Sequence, residues 1–134
     1  MYKKKFIYHF RVRYVESDQM GFVHHSNYAT YFEFGRIEWL RSVGLSYATL
    51  EKQGILLPVL SLSTEFKRPF HFDDEVRLEI CVDGDPTVFI DFSYELYNVE
   101  NVLCTTAKTR LGFVDGKTRK LMRCPEIFME ALNR

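Results

Sequence analysis

Cysteine is scarce. Cys81, Cys104 and Cys124 are the only three in the chain, and no two stand at the close spacing of a zinc site or a redox motif. An odd count without a framework argues against a disulfide-stapled domain and fits a reducing compartment. Net charge is missing too. Eighteen basic residues balance 18 acidic ones, so there is no overall electrostatic drive toward nucleic acid. A local basic patch for an acidic ligand needs no net charge. No apolar run approaches the length that crosses a bilayer. The basic start Met1-Tyr2-Lys3-Lys4-Lys5 leads into a stretch interrupted by His9, Arg11 and Arg13, so no secretory signal is expected. A soluble, cytoplasmic protein is the expectation. There is no linker, low-complexity tract or internal repeat. The 134 residues are expected to form one domain, 1–134, with one core.

Aromatic side chains are plentiful, at 16% of the chain with 12 Phe and 8 Tyr, which favours strands and large buried side chains. Residues 7–16 alternate, with Tyr8, Phe10, Val12 and Tyr14 on one face and His9, Arg11 and Arg13 on the other, and predict a half-buried strand. From Tyr28 the period changes: Tyr28, Tyr31, Phe32, Gly35, Trp39, Leu40 and Val43 form the stripe of an amphipathic helix. Ser26 or Asn27 can cap its start, and Gly44 can end it. Gly35 lies on the stripe and implies close approach of another backbone. A shorter helix is expected from Ser46 to Gln53. Four more strands follow at 59–67, 75–83, 88–97 and 102–114, separated by turn-forming residues, and Pro125 opens a short last helix. The consequence is an α+β domain, a five-stranded antiparallel sheet wrapped around one long helix. One helix leaves sheet edges open, so a homo-oligomer is expected.

The chemistry is expected between Asp18 and Tyr28, where the first strand hands over to the long helix. Gly21 permits a bend. Uncommitted backbone N–H groups around Val23 to Ser26, backed by the helix dipole, would polarise a carbonyl. A carboxylate beside them can serve as base or nucleophile toward an acyl carbon. Taken alone, Asp18 could equally be a turn residue, and Tyr14 and Tyr28 core aromatics. Glu33 and Arg36, three apart, read as a helix-surface pair. His24 and His25 are adjacent, a poor arrangement for one metal ion, and no third ligand is evident.

The stretch Arg13-Tyr14-x-Glu16-x-Asp18-x-x-Gly21-x-Val23-x-His25-x-x-Tyr28, continued by Tyr31-Phe32-Glu33-x-x-Arg36-x-Glu38-x-Leu40-Arg41 and by Phe66-Lys67-Arg68-Pro69-x-x-x-Asp73-Asp74, resembles the YbgC-like branch of the 4-hydroxybenzoyl-CoA thioesterase family. The likeness spans roughly residues 6–130. It implies the hot-dog fold and hydrolysis of an acyl thioester carried by coenzyme A or acyl carrier protein, with short-chain and aromatic acyl groups both open. Asp18 matches the catalytic aspartate, as nucleophile or as base toward water. His25 matches a histidine that would orient water or the thioester, and near a helix start it is expected to be neutral. Tyr14 would hydrogen-bond in the same pocket. The substrate would contact Val23, His24 and Tyr28, with its carbonyl on N–H groups near His24 and His25. Lys67 and Arg68 would meet the nucleotide phosphates. No metal and no cofactor is implied, coenzyme A being part of the substrate. The resemblance also implies a pocket shared by two subunits of a homodimer or homotetramer, and leaves open recruitment to a membrane-associated or lipid-synthesis complex.

Two other functions remain. Hot-dog hydratases and dehydratases resemble one another in an Asp-x-Asn-Pro-x-His motif, which this chain lacks. A non-catalytic module binding acyl-CoA or acyl carrier protein would not need Asp18.

Overall fold

The computed structural model describes residues 5–133; the basic Met1–Lys4 start lies outside them. Strand β1 (Phe6–Arg11) is followed by a single 3-10 turn (Tyr14–Glu16), the long helix α1 (Ser26–Ser42) and the short helix α2 (Tyr47–Lys52). Then come β2 (Ile55–Leu56), β3 (Val59–Phe66), β4 (Glu75–Asp83), β5 (Phe89–Tyr97), β6 (Leu103–Gly112), β7 (Val114–Asp115) and α3 (Glu126–Leu132). Five strands make one sheet in the order β1-β4-β5-β6-β3, antiparallel at every junction. The α+β architecture is therefore as the periodicity implied.

Alternation in β4 and β5 decides which face is covered. Val76, Leu78, Ile80 and Val82, with Ile90, Phe92, Tyr94 and Leu96, are buried, and their neighbours along each strand are not. Against them α1 lays Tyr31, Phe32, Trp39 and Leu40. Removing this much apolar surface from water is the main drive holding helix to sheet. At Gly35 the approach is closest: a Cβ there would come within 2.4 Å of Leu78 Cδ2. That explains a glycine in mid-helix despite its cost. Helix α1 ends at Gly44, whose φ of 84° is the left-handed conformation of a helix stop. Ser46 Oγ accepts the Thr49 N–H at 3.1 Å and caps α2.

Three expectations change. The first strand stops at Arg11 rather than at residue 16, because the chain coils into the 3-10 turn. Tyr14 thereby leaves the apolar row and is 79% exposed. The helix begins at Ser26, so neither Ser26 nor Asn27 is its cap; His25 takes that position without a side-chain cap bond. And Arg36 is no surface partner of Glu33, since it is only 5% exposed and donates to the Tyr94 hydroxyl, 3.1 Å away. The two-residue ladder of β2 with β7 was not anticipated.

Strand β3 ends the sheet and pairs only with β6. Its Val59, Leu60, Leu62 and Phe66 are all exposed, and α1 touches this strand through Tyr28 against Phe66 at its end. These side chains make a large exposed apolar surface on the protomer.

Candidate active site

Glu16 organises the handover from β1 to α1. Its carboxylate is 4% exposed. It accepts from the Arg13 N–H and Arg13 Nε, each at 2.8 Å, and from the Tyr31 hydroxyl at 2.8 Å. Its main-chain carbonyl accepts from the His24 N–H at 2.9 Å and from Asn27 Nδ2 at 2.9 Å. One residue thus ties the turn, the loop and the first turns of α1 together. Burial alone would raise the Glu16 pKa, but the bonds from the Arg13 N–H, Tyr31 and the Arg13 guanidinium outweigh it and hold the carboxyl below its usual value. Burial, and then the Glu16 carboxylate, push the Tyr31 phenol well above its ordinary range.

This arrangement carries a pH prediction. A carboxyl whose folded pKa is lowered contributes stability that is complete above its unfolded pKa, and loses it as pH falls through the folded value. Glu16 therefore stabilises the fold above about pH 4.5 and ceases to do so in more acid solution. Glu16→Ala, which leaves Tyr31 and the Arg13 N–H without their acceptor, is expected to cost about 2–4 kcal/mol at pH 7. The cost should shrink at pH 3. Urea unfolding at both pH values measures it, and equal stability of the two proteins at pH 7 would contradict the role.

Asp18 follows in a tight loop. Its N–H donates to the Phe22 carbonyl at 2.7 Å, and its own carbonyl accepts from the Gly21 N–H at 3.0 Å. Gly21 has φ of 84°, which a side chain would resist. Asp18 Oδ1 accepts from the Met20 N–H at 2.8 Å and the Phe22 N–H at 3.1 Å. No bond to Oδ2 is made by the described residues. One carboxylate oxygen is anchored and the other is free.

At the start of α1 the donors are fewer than the sequence suggested. The Val23 N–H donates to the Phe70 carbonyl at 2.8 Å, and the His24 N–H is taken by Glu16. The Ser26 N–H donates to His24 Nδ1 at 3.2 Å, and Ser26 Oγ lies 2.8 Å from the same nitrogen. Of the N–H groups from Val23 to Ser26, only that of His25 has no partner among the described residues. The expected cradle near His24 and His25 is thus one donor, with the helix dipole behind it. His24 accepts at Nδ1, so its neutral ring carries the proton on Nε2.

The other candidates distribute as follows. The exposed His25 ring stacks beside His24, with centroids 4.2 Å apart. Val23 and Tyr28 are buried; Tyr28 meets Phe66 at 4.8 Å and Tyr31 at 5.7 Å, and burial raises its phenol pKa. Tyr14 sets its ring edge-on to Phe72, at 5.4 Å, and its hydroxyl makes no hydrogen bond to Asp18. Lys67 and Arg68 are exposed just beyond β3, where both N–H groups donate to the Cys104 carbonyl. The chain beyond them is stitched to the Asp18 loop through Phe70–Val23 and through the bridge of Phe22 with His71. Arg68 also lines a surface trough that holds Asp73, Asp74 and Glu100, acidic company for a phosphate contact. Asn27 and Tyr31 were not singled out as supports of the site. Glu16 had one signal, since it shares the parity of the inward row Tyr8, Phe10 and Val12.

Comparison with known proteins covers nearly the whole chain and its fold. A model of the thioesterase-like superfamily matches residues 12–132. The crystal structure of a DHNA-CoA thioesterase from Staphylococcus aureus is 32% identical, with a TM-score of 0.90, and the match covers 96% of this chain and 89% of that one. The acyl-CoA thioester hydrolase YbgC of Escherichia coli is 26% identical over 116 residues, or 87% of each chain. The chloroplast acyl-acyl carrier protein thioesterase ATL3 of Arabidopsis thaliana is 30% identical over 112 residues, covering 81% of this chain and 58% of that protein.

Proposed function

Since the chain belongs to the thioesterase-like superfamily, has the hot-dog fold and is a thioester hydrolase, we propose that it cleaves short-chain or aromatic acyl-CoA thioesters at Asp18. The observation that carries this reading is the asymmetry of the Asp18 carboxylate, one oxygen held by the Met20 and Phe22 N–H groups and the other without a bond among the described residues, in the loop that leads into the His25 N–H at the start of α1. The thioester carbonyl oxygen accepts the His25 N–H, which draws electron density from the acyl carbon and favours the charge that develops there. Asp18 Oδ2 then takes a proton from an attacking water, or adds to the carbon itself. The carbon–sulfur bond breaks and the thiolate leaves with a proton drawn from water. Where Asp18 itself has added, a water then cleaves the resulting anhydride, so that the acid is released and Asp18 regenerated. The free ring nitrogen of His25 is a candidate to orient that water.

The apolar edge of β3 supports a second copy of the chain as the partner that covers it. Tyr28, next to the site, packs on Phe66 at the end of that edge, so the same contact would close the open side of the pocket. Lys67 and Arg68, exposed just beyond β3, would serve as contacts for the carrier. Relatives acting on CoA and on carrier-protein thioesters keep both carriers in play.

The test is a panel of aromatic and short aliphatic acyl-CoA and acyl-carrier thioesters, followed by thiol release. Saturable turnover of at least one class is expected. Tight binding across the panel without turnover would instead make the protein a binding module. Water addition to an enoyl-CoA would favour a hydratase.

A further inference from the structure

His24 is exposed, so core packing does not explain a histidine there. Its bonds do. Its backbone N–H donates to the Glu16 carbonyl at 2.9 Å, the same oxygen that accepts from Asn27 Nδ2. Its carbonyl accepts from the Asn27 N–H at 3.0 Å. Its ring nitrogen Nδ1 accepts the Ser26 N–H at 3.2 Å, with Ser26 Oγ at 2.8 Å. The ring itself lies beside that of His25.

These bonds bracket one peptide. The His25 N–H, on the peptide between residues 24 and 25, has no partner among the described residues. The N–H before it is tied to Glu16, and the N–H after it is tied to the His24 ring. The first turn of a helix needs an acceptor for its N–H groups, usually a Ser, Thr, Asp or Asn side chain at the cap position. His25 occupies that position and makes no such bond. The His24 ring, one residue earlier, supplies the acceptor instead. Without it the Ser26 N–H turns to solvent, and the turn that sets the tilt of the His25 N–H loses its one side-chain tie from within the segment.

We propose that His24 is a positioning residue for thioester hydrolysis, whose Nδ1 holds the first turn of α1 so that the His25 N–H stays aimed at the carbonyl oxygen. This rests on the reading of that N–H as the carbonyl's donor. His24 acts through Nδ1 and not as a substrate contact through Nε2.

Three substitutions separate those two roles. Asparagine places an oxygen as many bonds from Cα as Nδ1 and can accept from Ser26. Glutamine places its polar end one bond further, at the reach of Nε2, and alanine has neither. In His24→Asn, which loses only the flanking ring, kcat should stay within about threefold of native. In His24→Gln and His24→Ala, kcat should fall about 30-fold with KM unchanged, because the donor is misaimed where charge develops in the transition state. Hydrogen exchange at the Ser26 amide, followed by NMR without substrate, should be slow in native protein and His24→Asn, and about tenfold faster in the other two.

Activity kept in His24→Gln but lost in His24→Asn would make Nε2 a direct contact and overturn the proposal. Native kcat in all three variants, or a change in KM alone, would overturn it too. A native protein inactive on every thioester would instead defeat the functional reading. Equal Ser26 exchange in all four proteins would defeat the clamp itself, whatever the activity.

Discussion

Replacing Asp18 by asparagine is expected to lower kcat for thioester hydrolysis by about 10³-fold or more while leaving the fold intact. Asparagine keeps an oxygen at the Oδ1 position, so the bonds from the Met20 and Phe22 N–H groups survive. What it removes is the charge and basicity of the second oxygen, the one without a bond among the described residues. Unfolding stability should stay within about 1 kcal/mol of the native protein, because the anchored half of the side chain is unchanged. Asp18→Ala is the rougher probe. It deletes the acceptor for both N–H groups and loosens the loop, so part of its loss in kcat would come from displaced geometry. Steady-state kinetics alongside urea unfolding separates the two effects. Full activity in both variants would remove Asp18 from the chemistry.

The second large effect is expected from Leu62→Lys in β3. Leu62 is 44% exposed in the protomer and sits in the middle of the edge proposed to face a second copy. Two-fold pairing would bring two new ammonium groups into an apolar contact, each buried without a partner, at a cost of several kcal/mol. The protein should then sediment as a monomer with native circular dichroism. Its kcat/KM should fall by about 10²-fold, because the pocket loses one wall. An oligomer of native size with native activity would place the contact on another surface. In either outcome the protomer should stay folded, since its own core does not include Leu62.

How far the sequence could be read depended on the length scale of each feature. The covered face of β4 and β5 was legible because Val76 to Val82 and Ile90 to Leu96 keep strict alternation over whole strands. The α1 stripe was legible for the same reason, and so was a close approach at Gly35, though the neighbour there is the Leu78 side chain and not the backbone that was expected. The end of β1 was not. Tyr14 and Glu16 continue the parity of Val12, yet the backbone turns at Tyr14, and a parity rule cannot see a turn that contains no glycine or proline. Glu16 is buried because Tyr31 stands above it, a contact made across 15 residues. Periodicity also could not count free donors at the helix start. His24 spends its own ring on the Ser26 N–H, a local bond invisible to pattern, and this reduces the expected cradle to His25. Arg36 was misread because charge normally marks the solvent side of a helix; here the phenol of Tyr94, on β5, supplies a partner inside.

The clamp on Asp18 Oδ1 also has an entropic consequence. A loop carboxylate normally samples several rotamers, and a reacting group that must be found among them slows each encounter with substrate. Two backbone donors select one rotamer when the chain folds. The ordering of the oxygen proposed to react is therefore set when the chain folds, where the whole core offsets it, and not in each turnover.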